Sequence, residues 1–428
     1  MTFLLGMEPG GDPGAGIGFA VARHAAPGGD PNAVVRDPHP EGHWLCVAPM
    51  GSGKTVNFVV PQLLDHPGPV IALDIKGELT KVTARYRQSL GPVLVFDPFH
   101  LVSDGSGAFN PLSHLDVSSP TIVDDVYAIA SLFSNPADAG RNIEAYWEDW
   151  GQDIVAGLIL AALGHEDPRK RSLGEAYAMM NTDDVSYSIA VALDTRGKKM
   201  HRFAYQKLAS LLQLPDITRG GVISCAQQQL RMLAGDGVQA AVAQDSIDLD
   251  LLSRGEPCTV YVVIPPDKLV SHATLVRIVL TALVQRMMRR RRAPRQPTLL
   301  LIDEATQFGP IPALQSAITL GRSFGIRAAL IVQSMAQLKQ AYGKMTDALV
   351  ENSSLLTMGR HMAYSMSRQL AEQGFGDVSP EALYALGGDE VMVRVRGERS
   401  RRLRKLSYLT HPSFTGRSDP NPFYDRGL

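Results

Sequence analysis

Between residues 43 and 100 the apolar positions fall in short unbroken runs set apart by turns and by helical spacing. "HWLCVA", "PVIALD" and "PVLVFD" predict buried strands, the last two each ending in an aspartate. "KTVNFVVPQLL" predicts the helix after the first strand, with Pro61 bending or shortening it. From about 120 to 243 the rhythm changes. "DDVYAIASLF", "IEAYWEDWGQDIVAGLILAAL", "SLGEAYAMM", "HRFAYQKLASLLQL" and "GVISCAQQQLRML" all carry helical spacing and few β-branched runs. Tyr146, Trp147 and Trp150 are expected as core aromatics of this helical region. Strand and helix then alternate again: "CTVYVVI", "SHATLVRIVLTALVQRMMRR", "TLLLID", "IPALQSAITLGRSFG" and "IRAALIVQS". Near the end, "EVMVRVRGERSRRLRKLSYL" predicts a β-hairpin about Gly397-Glu398.

Such alternation predicts an α/β fold, a mostly parallel sheet with helices on both faces. The α/β domain is expected over 41–120 and 244–410, interrupted by an all-helical insertion over 121–243. An extended lead-in rich in Gly, Pro and Asp occupies 1–40, and a tail occupies 411–428. No internal repeat is visible. The net charge of −1 rules out a polycation, so any nucleic-acid contact must come from local patches. Three distant cysteines, Cys46, Cys225 and Cys258, exclude a disulfide framework and predict a reducing, cytoplasmic setting. No apolar run is long enough to span a bilayer, and the N-terminus lacks the basic region of a signal peptide.

Chemistry concentrates at two places. The stretch Ala48-Pro49-Met50-Gly51-Ser52-Gly53-Lys54-Thr55 has the Walker A pattern, with alanine in place of its first glycine. Gly51 and Gly53 let the backbone around Ser52 turn its N–H groups toward phosphates. Lys54 would reach the β- and γ-phosphates of ATP, and the Thr55 hydroxyl would bind Mg²⁺. The other reading is a glycine turn with an incidental lysine. The run "LLLIDEATQFG" places Asp303-Glu304 at a strand end, where Asp303 would hold Mg²⁺ and Glu304 would polarise the attacking water. Alternatively, the two acids open an ordinary helix. Arg322 is expected at the end of the next helix and Gln333 at the end of the next strand. They read either as a cation for a neighbouring subunit's nucleotide and a γ-phosphate sensor, or as a helix-dipole partner and a strand-end hydrogen bonder.

Two arginine runs stand out: Arg286, Arg289, Arg290, Arg291, Arg292 and Arg295; then Arg394, Arg396, Arg399, Arg401, Arg402, Arg404 and Lys405. They are DNA-contact candidates or solvated, ion-paired faces. No aromatic is interleaved to stack bases. His43, His114 and His201 are isolated, so Mg²⁺ with ATP is the only metal expected.

The ordered set "APMGSGKT", "VIALDIKGELT", "VLVFDPF", "FNPL", "LLLIDEATQFG" and "GIRAALIVQSMAQL" resembles the coupling ATPases of type IV secretion and bacterial conjugation, relatives of the FtsK/HerA-type translocases. The resemblance covers residues 43 to 410. It implies a RecA-like P-loop core with an inserted all-α domain, which would choose substrate. It also implies a homo-hexameric ring with ATP between subunits. Single-stranded DNA, with its relaxase, or an effector protein would pass to channel components at the inner membrane. By position, Lys54 and Thr55 would hold phosphate and Mg²⁺, Asp303 and Glu304 would serve metal and water, Arg322 would be the trans finger and Gln333 the sensor. In "DIKGEL", Asp74 or Glu78 either belongs to the nucleotide core or caps the following helix. Family members usually begin with transmembrane helices, which this chain lacks. It is then either a soluble variant recruited to the cytoplasmic face by a membrane partner, or a shortened one. The leading expectation is an ATP-driven motor. The rivals are an ATP-gated cargo adaptor and a soluble DNA translocase unrelated to secretion.

Overall fold

The computed structural model describes residues 2–9, 33–39, 41–103, 105, 107–134 and 142–423. Its strands are β1 (Leu4–Met7), β2 (Val34–Arg36), β3 (His43–Val47), β4 (Val70–Asp74), β5 (Val93–Phe96), β6 (Thr259–Val263), β7 (Thr298–Ile302), β8 (Ile326–Val332), β9 (Ser353–Met358), β10 (Glu390–Arg394) and β11 (Arg401–Arg404). The chain forms two compact units. One comprises residues 1–93, 251–261 and 290–428, the other 94–250 and 262–289.

In the first unit the strands follow one another as β2-β1-β11-β10-β9-β3-β8-β7-β4. The five from β9 to β4 run parallel: β3 pairs with β9 and β8, β8 with β7, and β7 with β4. Every residue of these five strands is buried, as expected when helices cover both faces. The remaining four are antiparallel and close the sheet at one side. The hairpin expected about Gly397-Glu398 is β10–β11. Two of the strands arise inside the stretch expected as a lead-in. Leu4 and Leu5 are apolar and buried, and Gln62 pairs with the Leu4 backbone in both directions (3.0 and 2.6 Å). Residues 10–32 lie outside the described residues.

The helix after β3 starts irregularly. Residues Thr55–Val59 form a π-type turn, in which the Val60 N–H reaches back to the Thr55 carbonyl, before a regular helix over Val60–Asp65. Pro61 has no N–H to give the ladder, so a register change ahead of it costs less than in a regular helix. The helix Glu78–Leu90 carries Arg87, a fully buried guanidinium that donates to the Gly68 carbonyl (2.7 Å), the Thr259 hydroxyl (2.8 Å) and the His66 carbonyl.

The second unit is mostly helical and wider than the expected insertion, since it also takes in the helix Leu269–Met288. Its central helix, Asn142–Leu163, is buried all round from Ile154 to Leu163, so "IVAGLILAAL" is the core of a bundle. Asp153 on that helix accepts from the Tyr127 hydroxyl and the Lys207 ammonium, tying two neighbouring helices to it. The aromatics at its start are not core residues. Tyr146 is 47% exposed, and Trp147 and Trp150 are half-buried. Trp147 instead lies over Gly221, where a Cβ would sit 2.8 Å from its ring.

Candidate active site

The buried strand β3 delivers the chain to the glycine loop. The Ala48 N–H donates to the Val332 carbonyl (3.1 Å), pinning the start of the loop to the end of β8. Gly51 and Gly53 have φ of 74° and 88°, in the left-handed region. The left-handed φ of Gly53 disfavours any side chain there, and a Cβ would lie 2.4 Å from Asn57 Nδ2, so that amide would also have to swing aside. Ala48 is not among the positive-φ residues, so alanine fits where the pattern usually has glycine. Lys54 is buried and folds back over the loop, its ammonium on the carbonyls of Ala48 (2.9 Å) and Pro49 (3.3 Å). The Ser52 hydroxyl is buried and has no hydrogen-bond partner among the described residues.

Facing the loop is the tip of β7. Asp303 and Glu304 lie in a turn, and the next helix begins only at Pro312, so the pair does not open a helix. Burial, and next the neighbouring Glu304, push the Asp303 carboxyl up to about 7, with Lys54 pulling the other way. Glu304 holds a φ of 50°, an uncommon conformation for a side-chain-bearing residue. Its carboxylate accepts from Gln333 Nε2 (2.9 Å), the residue directly after β8. Gly51, Gly53, Lys54, Thr55, Asp303 and Glu304 line one cavity of 130 Å³. Asp74 and Glu78 also line it, but their carboxylates are engaged. Asp74 accepts from the Thr80 N–H and hydroxyl (both 2.8 Å), capping the helix Glu78–Leu90, and Glu78 accepts from Asn421 (2.7 Å).

The donor set fits a magnesium–nucleotide and not a free-standing metal centre. Among the described residues no cluster of three or more His, Cys, Asp or Glu could hold an ion alone. Mg²⁺ in phosphate sites takes one or two protein oxygens and completes its shell with phosphate and water. Thr55 and Asp303 supply that number. A divalent cation would also relieve the burial that keeps the Asp303 proton on.

Arg322 is elsewhere. The expected helix ends at Thr319, and Arg322 sits in the tight turn Gly321–Phe324 before β8 begins. Gln333 follows the last residue of that strand. Seven strand residues span about 20 Å, so the two lie at opposite ends of β8.

Two features were not legible beforehand. The Lys405 ammonium, at the end of the second arginine run, donates to three main-chain carbonyls: Ser52 in the glycine loop (2.7 Å), Gly359 (3.0 Å) and Gly388 (2.7 Å). Burial, and secondarily Arg360, push its pKa down to about 8. Arg360 and His361 both have positive φ (84° and 60°), and the His361 ring lies where a Cβ on Gly51 would meet it at 3.6 Å. Both arginine runs are divided. Arg286 pairs with Asp250 (3.0 Å), Arg289 with Asp125 (2.8 Å), Arg401 with Glu8 (2.8 Å) and Arg402 with Glu390. Arg290 is buried against the Phe324 carbonyl (2.5 Å) and the Thr298 hydroxyl (2.6 Å). Arg291, Arg292, Arg295 and Arg399 are exposed, with no ion pair among the described residues.

A glycine loop closing a buried parallel strand, a lysine opening the next helix and an acid pair on a neighbouring strand tip together define a P-loop nucleotide-binding protein of the α/β class. A family model described as type IV secretory system conjugative DNA transfer matches residues 23–362, and the chain belongs to that family. Curated relatives include the conjugal transfer protein TraG of Escherichia coli, 26% identical over 315 residues (69% of this chain, 49% of TraG). Another is protein VirD4 of Rhizobium rhizogenes, 27% identical over 403 residues (86% of this chain, 58% of VirD4). The chain thus spans about half the length of the curated relatives it matches. Among solved structures, the conjugative coupling protein TrwB, unbound and lacking its first 70 residues, has a TM-score of 0.65 at 16% identity, covering 87% of this chain and 86% of its own. TrwB with ADP and Mg²⁺ scores 0.64 at 16% identity, covering 86% of both chains. These structures share the fold.

Proposed function

We propose that the chain is an ATPase that delivers a DNA-bearing or protein cargo to a type IV secretion channel. The observation that carries this reading is the Gln333–Glu304 hydrogen bond, which aims a carboxylate at the cavity shared with Lys54 and Thr55. Thr55 and Asp303 would hold Mg²⁺, which when bound neutralises phosphate charge. Lys54 leaves the carbonyls of Ala48 and Pro49 for the β- and γ-phosphates. Loop N–H groups around Gly51, Ser52 and Gly53 bind the remaining oxygens. Glu304 takes the proton of the attacking water, while Gln333 holds that carboxylate and senses the γ-phosphate.

Arg322 lies too far along the sheet to serve its own loop, so it acts on the nucleotide of a neighbouring copy. Contacts of that kind are head-to-tail and close into rings, and six copies is the number the family resemblance implies. The helical unit selects cargo: relaxase-bound single-stranded DNA or an effector protein. Arg291, Arg292, Arg295 and Arg399, exposed and without an ion pair among the described residues, are available to grip a phosphate backbone. Among the described residues no helix is long and apolar enough to cross a membrane; the channel components at the inner membrane are the partners this reading assigns to the ring.

The deciding measurement is ATP turnover per subunit across a protein concentration series, with and without single-stranded DNA. The expected rate rises with concentration and with DNA. Full-rate turnover by a strictly monomeric preparation overturns the shared-site reading, and stoichiometric cargo binding without turnover overturns the motor.

A further inference from the structure

At the end of the parallel strands opposite the glycine loop lies a cavity of 390 Å³. His43, which opens β3, lines it, as do Ser354 at the start of β9, Arg322 ahead of β8 and Arg396 in the turn between β10 and β11. Arg322 and Arg396 are exposed, and neither guanidinium has an ion pair or hydrogen bond among the described residues. Two unpaired like charges beside one cavity are held at a cost that an anion would remove. The Arg396 N–H donates to Ser354 Oγ (3.0 Å), which fixes the turn and leaves the hydroxyl hydrogen free to donate. His43 is 2% exposed, and its Nδ1 accepts from the Ala328 N–H (3.1 Å), so the ring proton sits on Nε2. Among the described residues that Nε2–H has no partner in ordinary hydrogen-bond geometry, although the Ile318 carbonyl is nearby. Burial, followed by Arg322, Arg327 and Arg396, pushes its pKa down to about 4, so it offers a neutral donor. The acid lining this cavity is Glu41, and Glu398 lies 3.6 Å from His39, another lining residue.

We propose that this cavity is a second phosphate-binding half-site, in which Arg396 joins Arg322 on the phosphates of a nucleotide held in the glycine loop of a second copy of this chain. The proposal rests on the ATPase reading above and adds Arg396, with Ser354 and His43 as supporting donors. Within one chain the cavity and the loop are a strand length apart, so they can meet only head to tail. Guanidiniums in pairs are the side chains best matched to phosphate oxygens.

The test uses the full chain and ATP. Arg396→Ala should lower kcat about tenfold or more while leaving nucleotide affinity within about twofold. Equimolar mixing of Arg396→Ala with Lys54→Ala should recover turnover above either variant alone, because one supplies an intact loop and the other an intact arginine cavity. Mixing Arg396→Ala with Arg322→Ala should recover none, since both damage the same cavity. A wild-type rate for Arg396→Ala, or no recovery with Lys54→Ala, overturns the proposal. So does a loss confined to single-stranded DNA binding with basal turnover intact, which would make the cavity a nucleic-acid site. If Arg322→Ala abolishes turnover while Arg396→Ala does not, the ATPase reading stands and only this inference falls. If the wild type does not hydrolyse ATP, the underlying reading fails instead. Arg396 is exposed, so the substitution should leave the melting temperature unchanged.

Discussion

Gln333 donates from Nε2 to Glu304 Oε2 at 2.9 Å, joining the ends of two adjacent parallel strands across the mouth of the nucleotide cavity. Glu304 reaches that position with a left-handed backbone, a conformation that costs about 1–2 kcal/mol for an ordinary residue. The hydrogen bond holds the carboxylate where the strained backbone delivers it.

Glu304→Gln should bind ATP with near-normal affinity and turn it over at least about 100-fold more slowly, the range expected for loss of a general base. Gln333→Ala should slow turnover about tenfold or more, since a hydrogen bond to a charged group is worth about 1.5–3 kcal/mol. Single-turnover kinetics beside equilibrium binding of a fluorescent ATP analogue separates the two effects. Turnover by Glu304→Gln at the wild-type rate removes Glu304 from the mechanism.

Lys54→Ala should abolish measurable nucleotide binding while folding normally, because among the described residues the lysine's hydrogen bonds go to two carbonyls of the loop itself and to no distant element. Gly53→Ala should lose binding and also melt earlier, since its φ of 88° is strained for alanine and the Cβ would displace the Asn57 amide from the Gly53 carbonyl. A calorimetric scan of both variants tests the contrast.

Asp303 makes the metal-free protein sensitive to pH. Its folded pKa is raised to about 7 from the ordinary 3.8. Below the ordinary value both folded and unfolded chains hold the proton, and the group contributes nothing. Between about 4 and 7 the unfolded chain releases it while the folded chain keeps it, so stability falls as pH rises through that window. Asp303→Asn should remove this component, visible as a flatter melting temperature against pH than wild type between those values. An identical slope in both proteins contradicts the assignment.

Lys405→Met keeps the stem and deletes the ammonium that gathers the Ser52, Gly359 and Gly388 carbonyls. Leaving part-buried carbonyls unpaired should cost on the order of 2 kcal/mol and loosen the glycine loop. Hydrogen exchange should quicken across residues 50–55, and ATP affinity should fall, with a smaller change in the maximal rate. Unchanged exchange in that segment would mean the loop is held by its own turns.

The residues carry uneven amounts of this information. The buried strands announced themselves because unbroken apolar runs such as "PVIALD" and "TLLLID" have few alternatives when bounded by turns. Strand β9 did not, since "SSLLTM" is short and half polar, and β1 and β2 were hidden among glycines and prolines. The helix Val185–Arg196 escaped because its apolar positions do not gather on one face. Tyr146, Trp147 and Trp150 have the spacing of core residues but sit at the rim of the bundle.

What the sequence by itself determined is local: the phosphate loop, the acid pair at a strand tip, and the alternation that makes an α/β sheet. These follow from spacing along the chain, which is short-range and additive. The tertiary structure decided which charges are free. It spent Arg290, Arg401 and Arg402 on carbonyls and carboxylates, turned Lys405 onto the glycine loop, and carried Arg322 to the opposite end of the strands beside Arg396. A charge's partner depends on residues hundreds of positions away, and only packing of the whole sheet brings them within hydrogen-bond distance.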